Sequence, residues 1–420
     1  MIQIFNLAKK GERPALFDFG YRRQNTAHEI ESAVKPILDA IRRDGDDALV
    51  SYARELDGLG HQPLRVSNEE LERAGAAMGT EVKKAAQVAV ANIRQFAEAQ
   101  LPKERFDEFS AGRKLGWIVR PLEAVGCYVP SGRYPLPSTL LMTAVLAQTA
   151  GVQRICVASP RPSVEILGCA YMLGISEVYR VGGAQAIAAM AFGTASIKRV
   201  DRIVGPGNAY VAAAKKLLAG DVGIDFLAGP TEILILAKDG DPRVIAADML
   251  AQAEHDVTAS AMLYTTSESL AQAVAQELER QLETLPTAEV ARQSIDQSSA
   301  IAIFPNMDLA VAAANLQAPE HLSLHHPELL KKIYNAGTVF LGVNTPESAG
   351  DYAAGPSHVL PTGGAARLRG GLSAADFVKV ISVQELSAGA LAELAPTITT
   401  LARAEGLEAH ARAVEVRSAG

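Results

Sequence analysis

Glu320 and His321 stand side by side in the segment ANLQAPEHLSL, directly after Pro319. A glutamate and a histidine can act as separate general bases, one taking a proton from an alcohol, the other activating water. The preceding proline disfavours mid-helix backbone and points to a loop, where catalytic groups often sit. Read alone, an exposed acid–imidazole dipeptide is as readily structural.

Other residues could complete such a site. Six of the eight histidines, His255, His321, His325, His326, His358 and His410, lie beyond residue 250. In DPRVIAADMLAQAEHD, Asp241 can cap a helix with Pro242 at its first position. Gln252 and His255 then fall three residues apart on one helical face, a spacing that can hold one metal ion. The plain alternative is a solvated helix end. In GDYAAGPSHVLPTGG, Asp351 and His358 share a glycine-rich loop and can approach one ion or polar ligand, although an Asp there can simply stabilise a turn. RAEGLEAHAR sets Glu405 and His410 five residues apart across Gly406, a pattern a polar surface helix also has. His325 and His326 read as solvated helix-start residues without a role. A Gln, a His, an Asp and a distant His would give zinc a nitrogen- and oxygen-rich site with room for substrate, unlike a closed cysteine site.

These groups need a scaffold, and the chain of 420 residues is long enough for two to three structural units. Thr26 with Glu29, and Ser67 with Glu70, form capping-box patterns. Apolar residues at helical spacing make 26 to 100 predominantly helical. From Trp117 short apolar runs alternate with helical patterns: 125–129, 154–159, 177–181, 201–204, 232–237, 261–264, 300–304 and 338–342. Strands buried on both faces and separated by helices predict βαβ crossovers and doubly wound parallel sheets, with ligands at the carboxyl ends of the strands. The expected fold is α/β, with two Rossmann-like domains, a helical N-terminal segment and a helical C-terminal tail. The expected division is an arm over 1–25, a first α/β domain from 26–118 and 233–375, an inserted Rossmann-like domain over 119–232, and a tail over 376–420. No G-x-G-x-x-G occurs: GPGNAY has a tyrosine where the third glycine would be, and GGAQA lacks the pattern. Any dinucleotide must be held without the usual fingerprint.

Composition removes several function classes. Hydrophobic residues are 48% and charged residues 21%, as in folded globular chains. A net charge of -7 without a dense Lys/Arg run argues against nucleic acid as a partner. Cys127, Cys156 and Cys169 are an odd number without metal-site spacing and read as reduced core residues. No stretch reaches about 18 apolar residues, so no membrane partner is expected, and MIQIFNLAKKGERP lacks a signal-peptide pattern. The expected location is the cytoplasm.

Taken in order, YVPSG, EVYRVGGAQAIAAMAFGT, RVDRIVGPGNAYVAAAK, GDVGID, AGPTE, QAEHD, APEHL, GDYAAGP, HVLPTGG and EGLEAH closely resemble the histidinol dehydrogenase family, from about residue 30 to the end. The resemblance implies a two-domain dimeric enzyme that uses zinc and two NAD molecules to oxidise L-histidinol through the aldehyde to L-histidine, the last step of histidine biosynthesis. It implies that Gln252, His255, Asp351 and His410 bind zinc, with His410 reaching the partner subunit's site. It gives His321 the role of general base in hydride transfer and Glu320 that of activating water. Thr231, His358 and Glu405 match substrate contacts, as do the zinc-binding residues and His321, while Tyr128, Gln185 and Asn208 match NAD contacts. Three positions depart from the family's commoner form. Thr231 stands for serine and adds a methyl, Arg133 brings a guanidinium that would favour an anionic substrate, and Ser357 stands for asparagine. These leave room for a relative that oxidises another small alcohol, such as a sulfonated diol. Residues read without the resemblance also allow a zinc-dependent hydrolase with Glu320 activating water, or a non-catalytic two-lobed binding protein.

Overall fold

The computed structural model describes residues 2–7, 19–131, 134–226 and 229–418, without the side chains of 19–28 and 418. Strand β1 (Gln3–Asn6) is followed by four helices, α1 (Phe19–Asp44), α2 (Asp46–Leu56), α3 (Asn68–Ala77) and α4 (Thr80–Gln100). Ser67 caps α3 by accepting from Glu70 N, as its capping signature predicts. Thr26 does not start a helix: it lies inside α1, which begins at Phe19 and runs through the helix formers Arg22, Arg23 and Gln24 ahead of it.

An antiparallel hairpin, β2 (Arg105–Ser110) and β3 (Arg113–Pro121), leads into an alternating unit. This runs β4 (Ala124–Tyr128), α5 (Pro137–Thr149), β5 (Arg154–Ala158), α6 (Val164–Met172), β6 (Glu177–Tyr179), α7 (Gly183–Phe192), β7 (Arg202–Val204), α8 (Ala209–Leu218) and β8 (Gly223–Ile224). A second unit runs β9 (Glu232–Leu236), α9 (Pro242–Ala253), β10 (Ser260–Thr265), α10 (Glu268–Leu282), α11 (Ala288–Ser298), β11 (Ala300–Ile303), α12 (Met307–Gln317), β12 (His321–Leu324), β13 (Thr338–Leu341) and α13 (Glu347–Tyr352). The chain ends with β14 (Val378–Leu386), α14 (Ala388–Ala404) and α15 (Glu408–Ser418). The tail is thus not purely helical, since β14 pairs antiparallel with β3 in a three-stranded sheet, β14-β3-β2. Its strand was hidden because most of its residues are exposed and it lacks the continuous apolar run of a buried strand.

The two larger sheets are parallel throughout and share one logic. The five-stranded sheet has the order β6-β5-β4-β7-β8, and the six-stranded sheet β1-β11-β10-β9-β12-β13. Counted from its first central strand, each reverses direction beside that strand, the doubly wound pattern. β9 and β10 are buried along their whole length, which is why their sequences lack alternation.

Packing assigns the N-terminal helices differently from the sequence expectation. Helix α1 packs on α7 and α8, α3 on α6, and α4 on α5. Val66, Leu71 and Ile93 share a core with Val125, Leu140 and Ile166. Residues 26–100 therefore cover the five-stranded sheet, not the sheet formed by 233–341 with which they had been grouped. Among the described residues, no helix is long and apolar enough to cross a membrane.

Candidate active site

A cavity of about 180 Å³ opens where the two parallel units face each other. Thr139 at the start of α5, Gly207 after β7 and Phe226 after β8 reach it from beyond the carboxyl ends of the five-stranded sheet. Thr231 just ahead of β9, Glu320, and His321 at the start of β12 reach it from the amino ends of the six-stranded sheet. The cavity thus lies at the carboxyl ends of one sheet, where ligands were expected, and at the amino ends of the other.

Glu320 and His321 are not in an exposed loop. Ala318 takes a left-handed conformation (φ 53) at the end of α12 and turns the chain, and His321 is the first residue of β12. Both side chains are buried. Gly337 has its missing Cβ 2.6 Å from Glu320 O, so only glycine lets β13 approach there. Glu320 Oε2 accepts from Thr231 Oγ1 at 2.6 Å and from Glu232 N at 2.9 Å. Burial nevertheless pushes the Glu320 carboxyl up to about 8, the two hydrogen bonds opposing that rise.

His321 is arranged as a neutral base. Burial pushes its imidazole down to about 3. Nδ1 lies 3.2 Å from Glu232 O and 3.3 Å from Glu347 Oε1, so the acceptors around it assign the proton to Nδ1. Nε2 is buried without a hydrogen-bond partner among the described residues, 4.0 Å from Asp351 Oδ1. Its lone pair is available to take a proton. The ring lies against Phe340, with centroids 5.9 Å apart.

His255, Asp351 and His358 line the same cavity. Asp241 caps α9 by accepting from Arg243 N, as expected, but α9 ends at Ala253 and His255 lies just beyond it. His358 places Nδ1 3.0 Å from Asp351 O and Nε2 3.2 Å from Thr139 Oγ1, and burial pushes it down to about 4. Gln252 is fully buried, its amide between Thr231 Oγ1 at 2.8 Å and the Glu347 carboxyl. With its oxygen toward Thr231, its NH2 donates to Glu347, the orientation that satisfies both ends. The Thr231 hydroxyl has one proton for the two: it donates to Glu320 when that carboxyl is ionised and to the Gln252 oxygen when Glu320 is protonated, a task its serine counterpart could also perform.

Glu347 is the main residue that motif reading missed. It is buried, lines the cavity, and lies within reach of both Gln252 and His321. The available signal was its spacing: Glu347 precedes Asp351 by four residues on α13, one helical turn, so both face the same way. Burial, then Asp351, Glu320 and Asp248, hold its carboxyl well above the usual range, and burial pushes Asp351 up to about 7.

Other expected positions fall elsewhere. Glu405 and His410 are exposed on the α14–α15 segment and do not line the cavity. His325 is buried at the end of β12, not a solvated helix-start residue. Tyr128 ends β4, Gln185 lies in the first turn of α7, and both are buried. Asn208 caps α8 through Tyr210 N and Val211 N. Ser357 is turned away to backbone, donating to Met142 O and accepting from Val359 N. Arg133 lies outside the described residues.

Among the described residues no group of three or more His, Cys, Asp and Glu is arranged to hold a metal ion. The implied set includes a glutamine, and His410 lies away from the cavity, which leaves two such residues here. Its chemistry still fits a dication, because the buried carboxyls of Glu320 and Glu347 and the partly buried one of Asp351 crowd together and, among the described residues, no Lys or Arg lines the cavity. Beyond the carboxyl ends of β5 and β6, the side of a doubly wound sheet that can receive a dinucleotide, Ser159 Oγ and Gln185 Oε1 are buried without partners among the described residues.

The family model described as histidinol dehydrogenase matches residues 21–418. A histidinol dehydrogenase of Thermus thermophilus is 48% identical over 396 residues, covering 92% of this chain and 94% of the relative. One from Bacillus anthracis is 46% identical over 396 residues, covering 92% of each chain. The crystal structure of histidinol dehydrogenase from Elizabethkingia anophelis superposes with a TM-score of 0.93 at 36% identity, covering 99% of this chain and 98% of that one.

Proposed function

Because the chain belongs to the histidinol dehydrogenase family of NAD-dependent alcohol oxidoreductases, we propose that it oxidises L-histidinol to L-histidine through the aldehyde. The observation that carries the reading is the unlike pair in one cavity, a neutral His321 with a free Nε2 beside a buried Glu320 whose carboxyl sits near 8. His321 Nε2 takes the alcohol proton as hydride leaves the carbinol carbon for the first NAD. Glu320 then takes a proton from water as the water adds to the aldehyde carbonyl, whose oxygen takes the proton held on His321, and the freed His321 Nε2 accepts a hydroxyl proton of the hydrate as its hydride leaves for a second NAD. Two hydrides leave, and the carboxylate oxygen comes from water. The hydride chemistry is the cofactor's, and the protein supplies position and proton acceptors.

Gln252, His255 and Asp351, with His410 of the partner subunit in a homodimer, would hold zinc, one ion per site. Zinc there would orient the imidazole and amine of the substrate. Thr231, His358 and the partner subunit's Glu405 complete the substrate contacts, and Tyr128, Gln185 and Asn208 serve NAD. The work is placed in the cytoplasm, consistent with three buried, unpaired cysteines.

The test is NADH yield from purified protein with zinc and limiting substrate, with L-histidinol beside a panel of small diols including a sulfonated one. Two NADH per histidinol consumed is expected. Zinc-dependent oxidation of a diol with histidinol inert would move the assignment to another alcohol.

A further inference from the structure

Asp57, the first residue past α2, is buried beside the start of α7, far away in sequence. Its Oδ2 accepts from Gly182 N and from Gln185 Nε2, each at 2.9 Å. Gly182 occupies the N-cap of α7 and has no side chain to serve the first-turn amides. The Asp57 carboxylate takes the N–H of the capping residue itself, and the Tyr128 hydroxyl takes the first-turn N–H of Gly183. Gly183 follows in a left-handed conformation, φ 59, and a Cβ on it would sit 2.6 Å from Gln185 Oε1. The Gln185 side chain is therefore folded back over a glycine that nothing larger can replace.

This arrangement fixes the polarity of the amide. Asp57 is acceptor-only when ionised and takes the NH2, so Oε1 faces the other way. That oxygen is buried and has no hydrogen-bond partner among the described residues. The Tyr128 hydroxyl, at the end of β4, accepts from Gly183 N at 3.1 Å on the same turn. Ser159 Oγ, just past β5, is a second buried atom without a partner among them. Pro160, the next residue, would be 2.7 Å from a Cβ on Gly182. The carboxyl ends of β4, β5 and β6 thus converge on one turn, on the side where a doubly wound sheet receives its ligand.

We propose that Asp57 is a positioning residue of the cofactor site, holding the Gln185 amide so that Oε1 accepts from a donor on the dinucleotide, a ribose hydroxyl or an amide NH2. It rests on the reading that Gln185 contacts NAD. The N-terminal helices, which among the described residues supply no lining residue to the catalytic cavity, would then act on catalysis through cofactor binding. Asn at position 57 offers both a donor and an acceptor, so the amide is no longer held one way round.

Asp57→Asn is expected to weaken NAD about 10-fold, the scale of one misdirected hydrogen bond. The loss should appear in the NAD Kd measured by calorimetry without substrate and in the KM for NAD. kcat and the KM for histidinol should stay within about twofold. Asp57→Ser, which keeps a hydroxyl acceptor for Gly182 N, should show the same cofactor-specific loss if the Asn variant does not fold. The double variant with Gln185→Ala should bind NAD no more weakly than Gln185→Ala alone. An unchanged NAD Kd in a folded Asp57 variant, or additive losses in the double variant, would overturn the proposal. If Gln185→Ala itself leaves NAD binding unchanged, the reading of Gln185 as a cofactor contact fails and the proposal fails with it. If Gln185→Ala weakens NAD and the Asp57 variants do not, only the positioning role is lost.

Discussion

Replacing Thr231 with valine removes a hydroxyl from the centre of the site while keeping its shape. The hydroxyl donates to Glu320 Oε2 at 2.6 Å and lies 2.8 Å from the Gln252 amide. After the change Glu320 keeps one donor, Glu232 N at 2.9 Å. A hydrogen bond to a charged group contributes about 1.5 to 3 kcal/mol, which corresponds to roughly 10- to 150-fold in rate when that group must be ionised to work. The direction follows from charge. Thr231 favours the ionised carboxyl, so its loss raises a value already near 8, and less Glu320 carboxylate remains at pH 7. Oxidation of supplied histidinaldehyde should therefore slow at pH 7, with its alkaline-rising limb displaced to higher pH. The alcohol half-reaction, which depends on His321, should change much less. The assay is NADH formation from alcohol and from aldehyde between pH 6 and 9.5, with Thr231→Ser as control. Zinc content measured on the same samples separates a disturbed Gln252 from a lost proton acceptor. Equal losses in both half-reactions with zinc retained, or an aldehyde limb that does not move, would refute the assignment of water activation to Glu320.

Glu347→Gln should weaken zinc retention more than it alters the fold, because one of the two carboxyl oxygens facing the Gln252 NH2 becomes a donor; chelator competition followed by metal analysis reads this directly. Lys215→Met leaves Asp225 buried without its amine partner and frees Gly205 O, so a loss of about 3 to 5 kcal/mol in denaturant unfolding is expected. The metal-free protein should lose stability from pH 6.5 to 8.5. Groups with raised folded values contribute stability that is fully present below their unfolded values near 4 and is lost as pH rises through the folded ones, about 7 for Asp351 and about 8 for Glu320. His321 and His358, pushed down to about 3 and about 4, are neutral when folded and about half charged when unfolded at pH 6.5, so they add a small opposing gain confined to the lower end of that range. Added zinc should raise the unfolding midpoint more at pH 8.5 than at pH 6.5.

Which parts of this design were legible follows from how each residue is held. The apolar runs of the central strands announce themselves because parallel strands covered on both faces need no polar alternation, and every one of the eight became a strand. Strand β14 did not, since its stability comes from pairing with β3 and not from a buried face. Pro319 misled for a physical reason: it does end helical backbone, but the segment it opens is the start of a buried strand. Glu347 carries no motif of its own, and its importance exists only once α13 brings it against Gln252 and His321.

The two parallel units meet head to tail, and this decides which chemistry goes where. Ends of strands are where side chains from separate crossovers converge, so joining the carboxyl ends of one sheet to the amino ends of another doubles the elements that can contribute. On the proposed function, the five-stranded sheet offers its carboxyl ends, with Gln185 past β6 and Asn208 past β7, to a dinucleotide. The six-stranded sheet, whose own carboxyl-end switch point lies at the opposite edge near Leu236 and Leu324, contributes Glu320, His321 and Thr231 from its amino ends. A hydride acceptor and two proton acceptors could therefore face one carbon although no single unit carries both. Neither unit alone would expose Glu320 and His321 to a cofactor, which is why the catalytic pair could not be read from the doubly wound pattern and had to be read from the residues.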